Sequence, residues 1–309
     1  MSGIRQLWAE KYRPTKLEDY IFQNANHKLK FEEYIETKSI PNLLLSGVQG
    51  TGKSTIARIL IDSIGVDVEY DVMTLNASSS NSVDDVRDRI RTFITTYSMS
   101  GVKIVLLEEA DRLSKHAQDA LKVLTEDFSD VARFIATCNN PHLLTPAFKS
   151  RFQQFLFKSP DVNDVAIRIA TILQQEGVKC NLDLVDKFVA IGFPDIRQTI
   201  MLIEQHVSGG KLQDPTVAID GQDWKVDLLG FIEKGQWRPA REMLCSSVSS
   251  EEWTDVYSFL YRNISKVEKW DSNQRDQAVV TIAQHLYQHS LVADPEINAA
   301  AMLIELTRI

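Results

Sequence analysis

Cysteine is scarce in this chain. Its three residues in 309, Cys138, Cys180 and Cys245, are odd in number and far apart, with no C-x-x-C pair. That scarcity excludes a disulfide framework and a zinc site and points to a reducing compartment such as the cytoplasm. Long apolar runs are also missing. No stretch approaches the ~18 consecutive apolar residues of a membrane span, so no membrane partner is expected. The opening MSGIRQLWAEKYRP carries charge where a secretory leader needs an apolar stretch. There is no internal repeat and no low-complexity tract. Basic residues are outnumbered, 34 Lys and Arg against 42 Asp and Glu, for a formal net charge of −8. Such a balance argues against a protein that coats nucleic acid by bulk charge. Disorder is excluded as well, because 44% hydrophobic and 25% charged residues provide enough apolar surface for real cores. The length exceeds what one core usually serves, so two or three domains are expected.

Between Asn42 and Phe157 short apolar runs alternate with helical stretches. The strand candidates are NLLLS (42–46), VMTLN (72–76), KIVLL (103–107), RFIATC (133–138) and QQFLF (153–157). Segments such as TIARILIDSIG and VDDVRDRIRTFITTY lie between them, with apolar residues three and four apart. This alternation predicts an α/β module with a parallel sheet covered on both faces. After Pro160 the periodicity is helical through Val207. The stretch SGGKLQDPTVAIDGQDW then reads as a linker or loop, and the chain from Val226 to Ile309 is helical in pattern. The expected organisation is an α/β module over 1–159, a small helical domain over 160–225 and a second helical domain over 226–309.

The sequence GVQGTGKS, Gly47 to Ser54, fits G-x-x-x-x-G-K-[ST] and sits between an apolar strand and a helix. Glycines at Gly47, Gly50 and Gly52 let the backbone curl its N–H groups inward onto phosphate oxygens, and the helix N-terminus favours negative charge. Thr51, within the loop, and Thr55, just after it, are further candidate nucleotide-binding residues. Lys53 is expected to bridge the β and γ phosphates of ATP, and the Ser54 hydroxyl to hold Mg²⁺. KIVLLEEADR ends an apolar strand in Glu108 and Glu109, carboxylates placed for the Mg²⁺ side and for polarising the attacking water respectively. RFIATCNN ends another strand in Asn139 and Asn140, amides able to position water or sense the γ-phosphate. Arg151, in PAFKSRFQQF, reads either as a solvated surface charge or as a guanidinium delivered to a neighbour's γ-phosphate. Spacing alone leaves that open.

With these residues aligned, the chain resembles an AAA+ ATPase, specifically a clamp-loader ATPase subunit of the replication factor C small-subunit and phage clamp-loader kind. WAEKYRPTKLEDYI resembles the family's W-x-E-K-Y-R-P opening, which implies an adenine pocket involving Lys11, Tyr12 and Ile21. LNASSSNSVDDVRDRIRTF and LLEEADRLSKHAQDALKVLTED resemble its L-N-A-S segment and its Walker B strand with the following helix. The resemblance places Arg151 at the S-R-C arginine finger, acting on the adjacent subunit, and Arg197 of FPDIRQTI at the sensor arginine that reaches nucleotide from the lid. It implies a helical lid, a helical collar that oligomerises, and intersubunit coupling through Gln118 and Lys122. The matches span about 7–205. Four positions depart from the pattern. Glu108 replaces an aspartate, Phe152 the cysteine of S-R-C, Asn81 a basic residue and Lys122 a trans-acting arginine.

The implied activity is a DNA- and clamp-stimulated ATP hydrolase that opens a ring-shaped sliding clamp and closes it at primer–template junctions during DNA replication. Its expected partners are the clamp, primer–template DNA and other loader subunits in a pentamer. A subunit that binds nucleotide without hydrolysis, and another AAA+ motor such as a helicase loader or branch-migration motor, are the alternatives. Chain length and the loss of the S-R-C cysteine lean toward a phage source, hence the host cytoplasm. DNA contact would fall on backbone phosphates through helix N-termini and hydroxyls, at Ser80, Asn81, Ser82 and Lys115, although plain N-capping accounts for the same residues. The acidic balance is compatible with this. Residues 1–159 hold 20 basic and 20 acidic residues, whereas 160–309 hold 14 and 22, so all the excess acid lies in the helical half.

Overall fold

The structure, a computed structural model, describes residues 6–77, 83–214, 224–248, 253–267, 269–289, 291–292 and 294–309. The five apolar runs are strands: β1 (Leu43–Gly47), β2 (Val72–Asn76), β3 (Lys103–Glu108), β4 (Ala132–Cys138) and β5 (Gln153–Phe157). They form one parallel sheet in the order β2-β3-β4-β1-β5. β1 is buried along its whole length because it has a neighbour on each side and helices on both faces.

The strand period of two sorts side chains between the two faces. Leu43, Leu45, Ile104, Leu106 and Ile135 share one core with Phe31 and Tyr34 of α2 (Ala25–Glu36) and Ile56 and Leu60 of α3 (Lys53–Ile64). Leu44, Val105, Leu107, Phe134 and Ala136 face the other core. There they meet Val86 and Ile90 of α4 (Val83–Thr95) and Leu121 and Leu124 of α5 (Lys115–Asp127). Phe152 is buried in this second core, its ring 4.6 Å from that of Phe148 in the short helix α6 (Pro146–Lys149). Its aromatic ring therefore serves packing beside Arg151.

The chain divides into two compact units, Met1–Gln205 and His206–Ile309. The first joins the sheet and its helices to α7 (Val162–Gln175), α8 (Leu182–Gly192) and α9 (Ile196–Gln205), and it includes the four-residue helix α1 (Trp8–Lys11). Polar contacts stitch α1 and its successor to α7, the C-cap of α7, and α9. The Trp8 N–H donates to Glu204 at 2.8 Å, Lys11 and the Tyr12 hydroxyl reach Glu176 at 2.6 and 2.8 Å, and Arg168 donates to the Tyr12 carbonyl at 2.8 Å.

The second unit begins with strands β6 (Val207–Ser208) and β7 (Lys211–Leu212), an antiparallel pair within the stretch that reads as linker in the sequence. Gly209 and Gly210 make its two-residue turn with φ of +58° and +72°, the positive values that such a turn requires. Each strand is too short to carry periodicity. Helices α10 (Trp224–Glu233), α11 (Trp237–Ser247), α12 (Trp253–Asn263), α13 (Ser272–His289) and α14 (Pro295–Leu306) follow. They enclose a core of Leu228, Leu244, Val256, Tyr257, Ala278, Met302 and Leu303. Buried Asn298 links three groups in it, bonding the His285 ring and carbonyl at 2.8 Å each and the Tyr257 hydroxyl at 2.9 Å. Among the described residues no helix is long and apolar enough to cross a membrane.

Among the described residues one ion pair is fully buried. Lys103, at the start of β3, lies 2.9 Å from Asp71, with side chains 2% and 0% exposed. The ammonium also donates to the Tyr70 carbonyl at 3.0 Å, and the carboxylate accepts the Ser100 N–H at 2.6 Å. Burial alone would raise the Asp71 carboxyl, but Lys103 and Ser100 hold it down at about 2. A folded-state value below the unfolded one stabilises the protein above pH ~4, and this contribution fades as pH falls toward the folded value. Lys103→Met strands a buried carboxylate and is expected to cost about 3–5 kcal/mol in urea unfolding. It should also remove the acid-labile component between those pH values.

Candidate active site

The parallel sheet brings the C-terminal ends of β1, β3 and β4 to one edge, where β1 is flanked by strands from elsewhere in the chain. In open α/β sheets ligands bind at such an edge. A cavity of about 400 Å³ opens here. Its walls come from the α1 region, the loop before α3, the ends of β3 and β4, and the start of α9.

The loop after β1 is built by close approach. Gly52 has φ +86°, and a Cβ on it would stand 2.8 Å from the Tyr20 ring. The buried Tyr20 hydroxyl donates to the Thr51 carbonyl at 2.9 Å, pinning the loop, and its burial pushes the phenol well above its ordinary value. Gly50 has φ +73°, and its missing Cβ would fall 2.0 Å from the Asp195 carboxyl carbon. The positive φ favours glycine at both positions, and the Tyr20 ring leaves little room for a side chain at Gly52. Lys53 opens α3, is 7% exposed, and donates to the Gly47 and Val48 carbonyls at 2.9 and 2.8 Å. Burial lowers its ammonium to about 8. Ser54 and Thr55 line the cavity in the first turn of α3, beside Gly50, Thr51 and Gly52. Gly47 supplies a carbonyl to Lys53 and lies behind the lining surface.

Glu108 and Glu109 line the facing wall. Glu108 pairs with Arg58 at 3.4 Å. Glu109 has left-handed backbone, φ +56°, unusual for a side chain of this size. Its N–H lies 3.4 Å from the Thr137 hydroxyl, and its carboxylate meets Arg112 at 2.9 Å. Asn139 lines the cavity at the end of β4. Asp111 fixes that turn by accepting the Asn139 and Asn140 N–H groups at 3.2 and 2.9 Å. Tyr12, Ile21 and Arg197 also line the cavity. Lys11 points to Glu176 and is not part of the lining.

Arg151 stands apart from the cavity, exposed and paired with Glu126 of α5. Gln118 is 1% exposed. Its amide donates to the Leu113 and Leu143 carbonyls at 3.1 and 3.3 Å and accepts the Thr145 N–H at 2.8 Å. Any effect on a neighbouring subunit would therefore pass through the loops it ties together. Lys122 is half-buried on α5. Lys115 is exposed in the first turn of that helix, where Ser114 is the N-cap, accepting the Ala117 N–H at 3.2 Å. Ser80, Asn81 and Ser82 lie outside the described residues.

Among the further residues that line the cavity, and that the motifs do not single out, are Arg13, Arg58, Arg168 and Asp195. Spacing offers a signal for three of these four. Arg13 follows Tyr12, Arg58 lies one helical turn beyond Ser54, and Asp195 precedes Arg197 by two. These groups suit a magnesium-bound nucleoside triphosphate. The cradle at Gly50 and Gly52 excludes side chains, a buried lysine stands beside it, and the Ser54 hydroxyl and Glu108 carboxylate are the groups that would hold the metal.

A strand–loop–helix phosphate cradle facing paired carboxylates defines a P-loop ATPase. The AAA family (ATPase family associated with various cellular activities) matches residues 43–160. A replication factor C small subunit of Natronomonas pharaonis is 36% identical over 323 residues, covering 99% of this chain and 96% of its own. One from Archaeoglobus fulgidus is 32% identical over 280 residues, 86% of each chain. The Thermotoga maritima RuvB Holliday junction branch migration motor superposes with a TM-score of 0.57 at 18% identity, covering 72% of this chain and 79% of that one. That likeness is one of fold. The chain belongs to the replication factor C small-subunit family, and it is an ATP hydrolase of the clamp-loader type that serves DNA replication.

The depressed Lys53 value carries a pH dependence. A phosphate chain is held by the protonated amine, so ATP affinity should be level below pH 8 and weaken above it. From pH 7 to pH 9 it should fall about tenfold, with proton uptake on binding at the higher pH. Calorimetry in two buffers of different ionisation enthalpy reads both effects.

Proposed function

We propose that the chain is one subunit of a pentameric loader that binds ATP, engages a ring-shaped sliding clamp, opens it and releases it closed at a primer–template junction. The observation that carries this reading is the separation of Arg151 from a cavity that gathers Tyr12, Lys53, Ser54, Glu108, Glu109, Asn139 and Arg197. Within one subunit, backbone N–H groups of 47–54 and the Lys53 ammonium would hold the phosphates, with Tyr12 and Ile21 against the base and Arg197 approaching from α9. Ser54 and Glu108 would hold Mg²⁺, which neutralises charge developing on the phosphate oxygens. Glu109 would draw the proton from the attacking water, which Asn139 orients. Arg151 would reach the γ-phosphate of the adjacent subunit, where a planar guanidinium stabilises the transferring group.

In this reading residues 1–159 are the ATPase module, 160–225 its lid and 226–309 the collar that assembles the pentamer. DNA would be met through backbone phosphates near 80–82 and at Lys115, without sequence preference and with strong salt dependence. The membership in the replication factor C family and the acid-neutral balance of 1–159 support it. The site of action would be the cytoplasm.

Arg151→Ala tests the division of labour. In assembled loader the variant should bind ATP as the wild type does and lose clamp- and primed-DNA-stimulated hydrolysis by about 10³-fold. Normal stimulated hydrolysis by that variant would rule out a finger acting between subunits.

A further inference from the structure

The mouth of the cavity holds more positive charge than the phosphate motif requires. Arg13, Arg58 and Arg197 come from three separate elements and converge on it. The guanidiniums of Arg13 and Arg197 share a single carboxylate oxygen, Glu10 Oε1, at 2.8 and 3.1 Å. Arg13 is the more enclosed, its side chain 21% exposed against 58% for Arg197. Burial lowers its ordinary value, Glu10 raises it, and the neighbouring charges of Arg197 and Arg58 lower it again. Like charges packed this closely repel each other unless an anion lies between them, and Glu10 is that anion.

We propose that Glu10 competes with the nucleotide from within the chain: it holds Arg13 and Arg197 together, and both guanidiniums pass from its oxygen to phosphate oxygens when a triphosphate binds. Arg13 then becomes a second phosphate-binding arginine beside Arg197. The inference rests on the reading of the cavity as the nucleotide site. Its chemistry follows from charge. A triphosphate offers several anionic oxygens where Glu10 offers one carboxylate, and a planar guanidinium binds two oxygens of a phosphate as readily as those of a carboxylate. The exchange sets affinity below what the arginines alone would give. It also links lid and adenine wall, since Arg197 begins α9 and Glu10 lies in α1 next to Tyr12.

The test is calorimetric titration of ATP, ADP and adenosine into the full chain, comparing wild type with Glu10→Gln, Arg13→Met and the double variant. Glu10→Gln keeps the side-chain shape and removes the charge. It should bind ATP about three- to tenfold more tightly, as expected for releasing two partly exposed ion pairs, with the gain shrinking as salt rises. Adenosine, which has no phosphate, should bind both proteins equally. Arg13→Met should weaken ATP binding, and Glu10→Gln added to it should recover less than half of the single-variant gain. Unchanged or weaker ATP affinity in Glu10→Gln, or an equal gain for adenosine, would overturn the proposal. A wild-type chain that binds no ATP would instead overturn the nucleotide reading beneath it.

Discussion

The parallel pairing of β1 with β4 and of β4 with β3 is the constraint on which this site depends. It sets Ser46 opposite Cys138 and Leu107 opposite Ala136, so Gly47, Glu108 and Asn139 leave the sheet at the same edge. Buried β1 cannot shift by a residue without turning Leu43 and Leu45 from one core into the other. Packing thereby fixes the depth at which the phosphate loop emerges. The glycines, the lysine and the carboxylates then meet across one cavity although they are far apart in the chain.

A second constraint acts within that cavity. Its cations already have partners: Lys53 has two carbonyls, Arg58 has Glu108, and Arg13 and Arg197 share Glu10. Buried or crowded charge is costly unless matched, so a pocket for a polyanion must keep its cations satisfied in another way. On the proposal made above, binding is an exchange of partners. Glu109 fits the same pattern, paired with Arg112 on left-handed backbone at the end of β3.

Much of this was legible in the residues. Strand positions followed from short apolar runs, and the observed strands differ from them by at most one residue at an end. Runs bounded by Gly, Asn and charged residues have sharp limits. The phosphate loop was legible because its glycines answer a backbone demand that other residues seldom meet. Other features were hidden for physical reasons. Asp195 looks like a helix cap, and does accept the Gln198 N–H at 2.9 Å, but its packing against Gly50 depends on how α9 approaches the loop. Gln118 on a polar-looking helix turn is buried because three backbone groups of two loops need its amide. Lys103 opens an apolar strand as an ordinary exposed lysine would, and only the fold supplies Asp71. The β6–β7 pair was missed because two-residue strands have no period, although Gly209-Gly210 between Val-Ser and Lys-Leu was a turn signal.

In the proposed function one chain holds a complete nucleotide pocket, while hydrolysis needs an arginine from another. Specific ATPase activity measured across a dilution series, with assembly state followed by mass photometry in the same samples, tests this most directly. Activity per chain should rise with the assembled fraction, while ATP affinity stays constant. Full activity per chain in samples that contain only monomer would contradict the account.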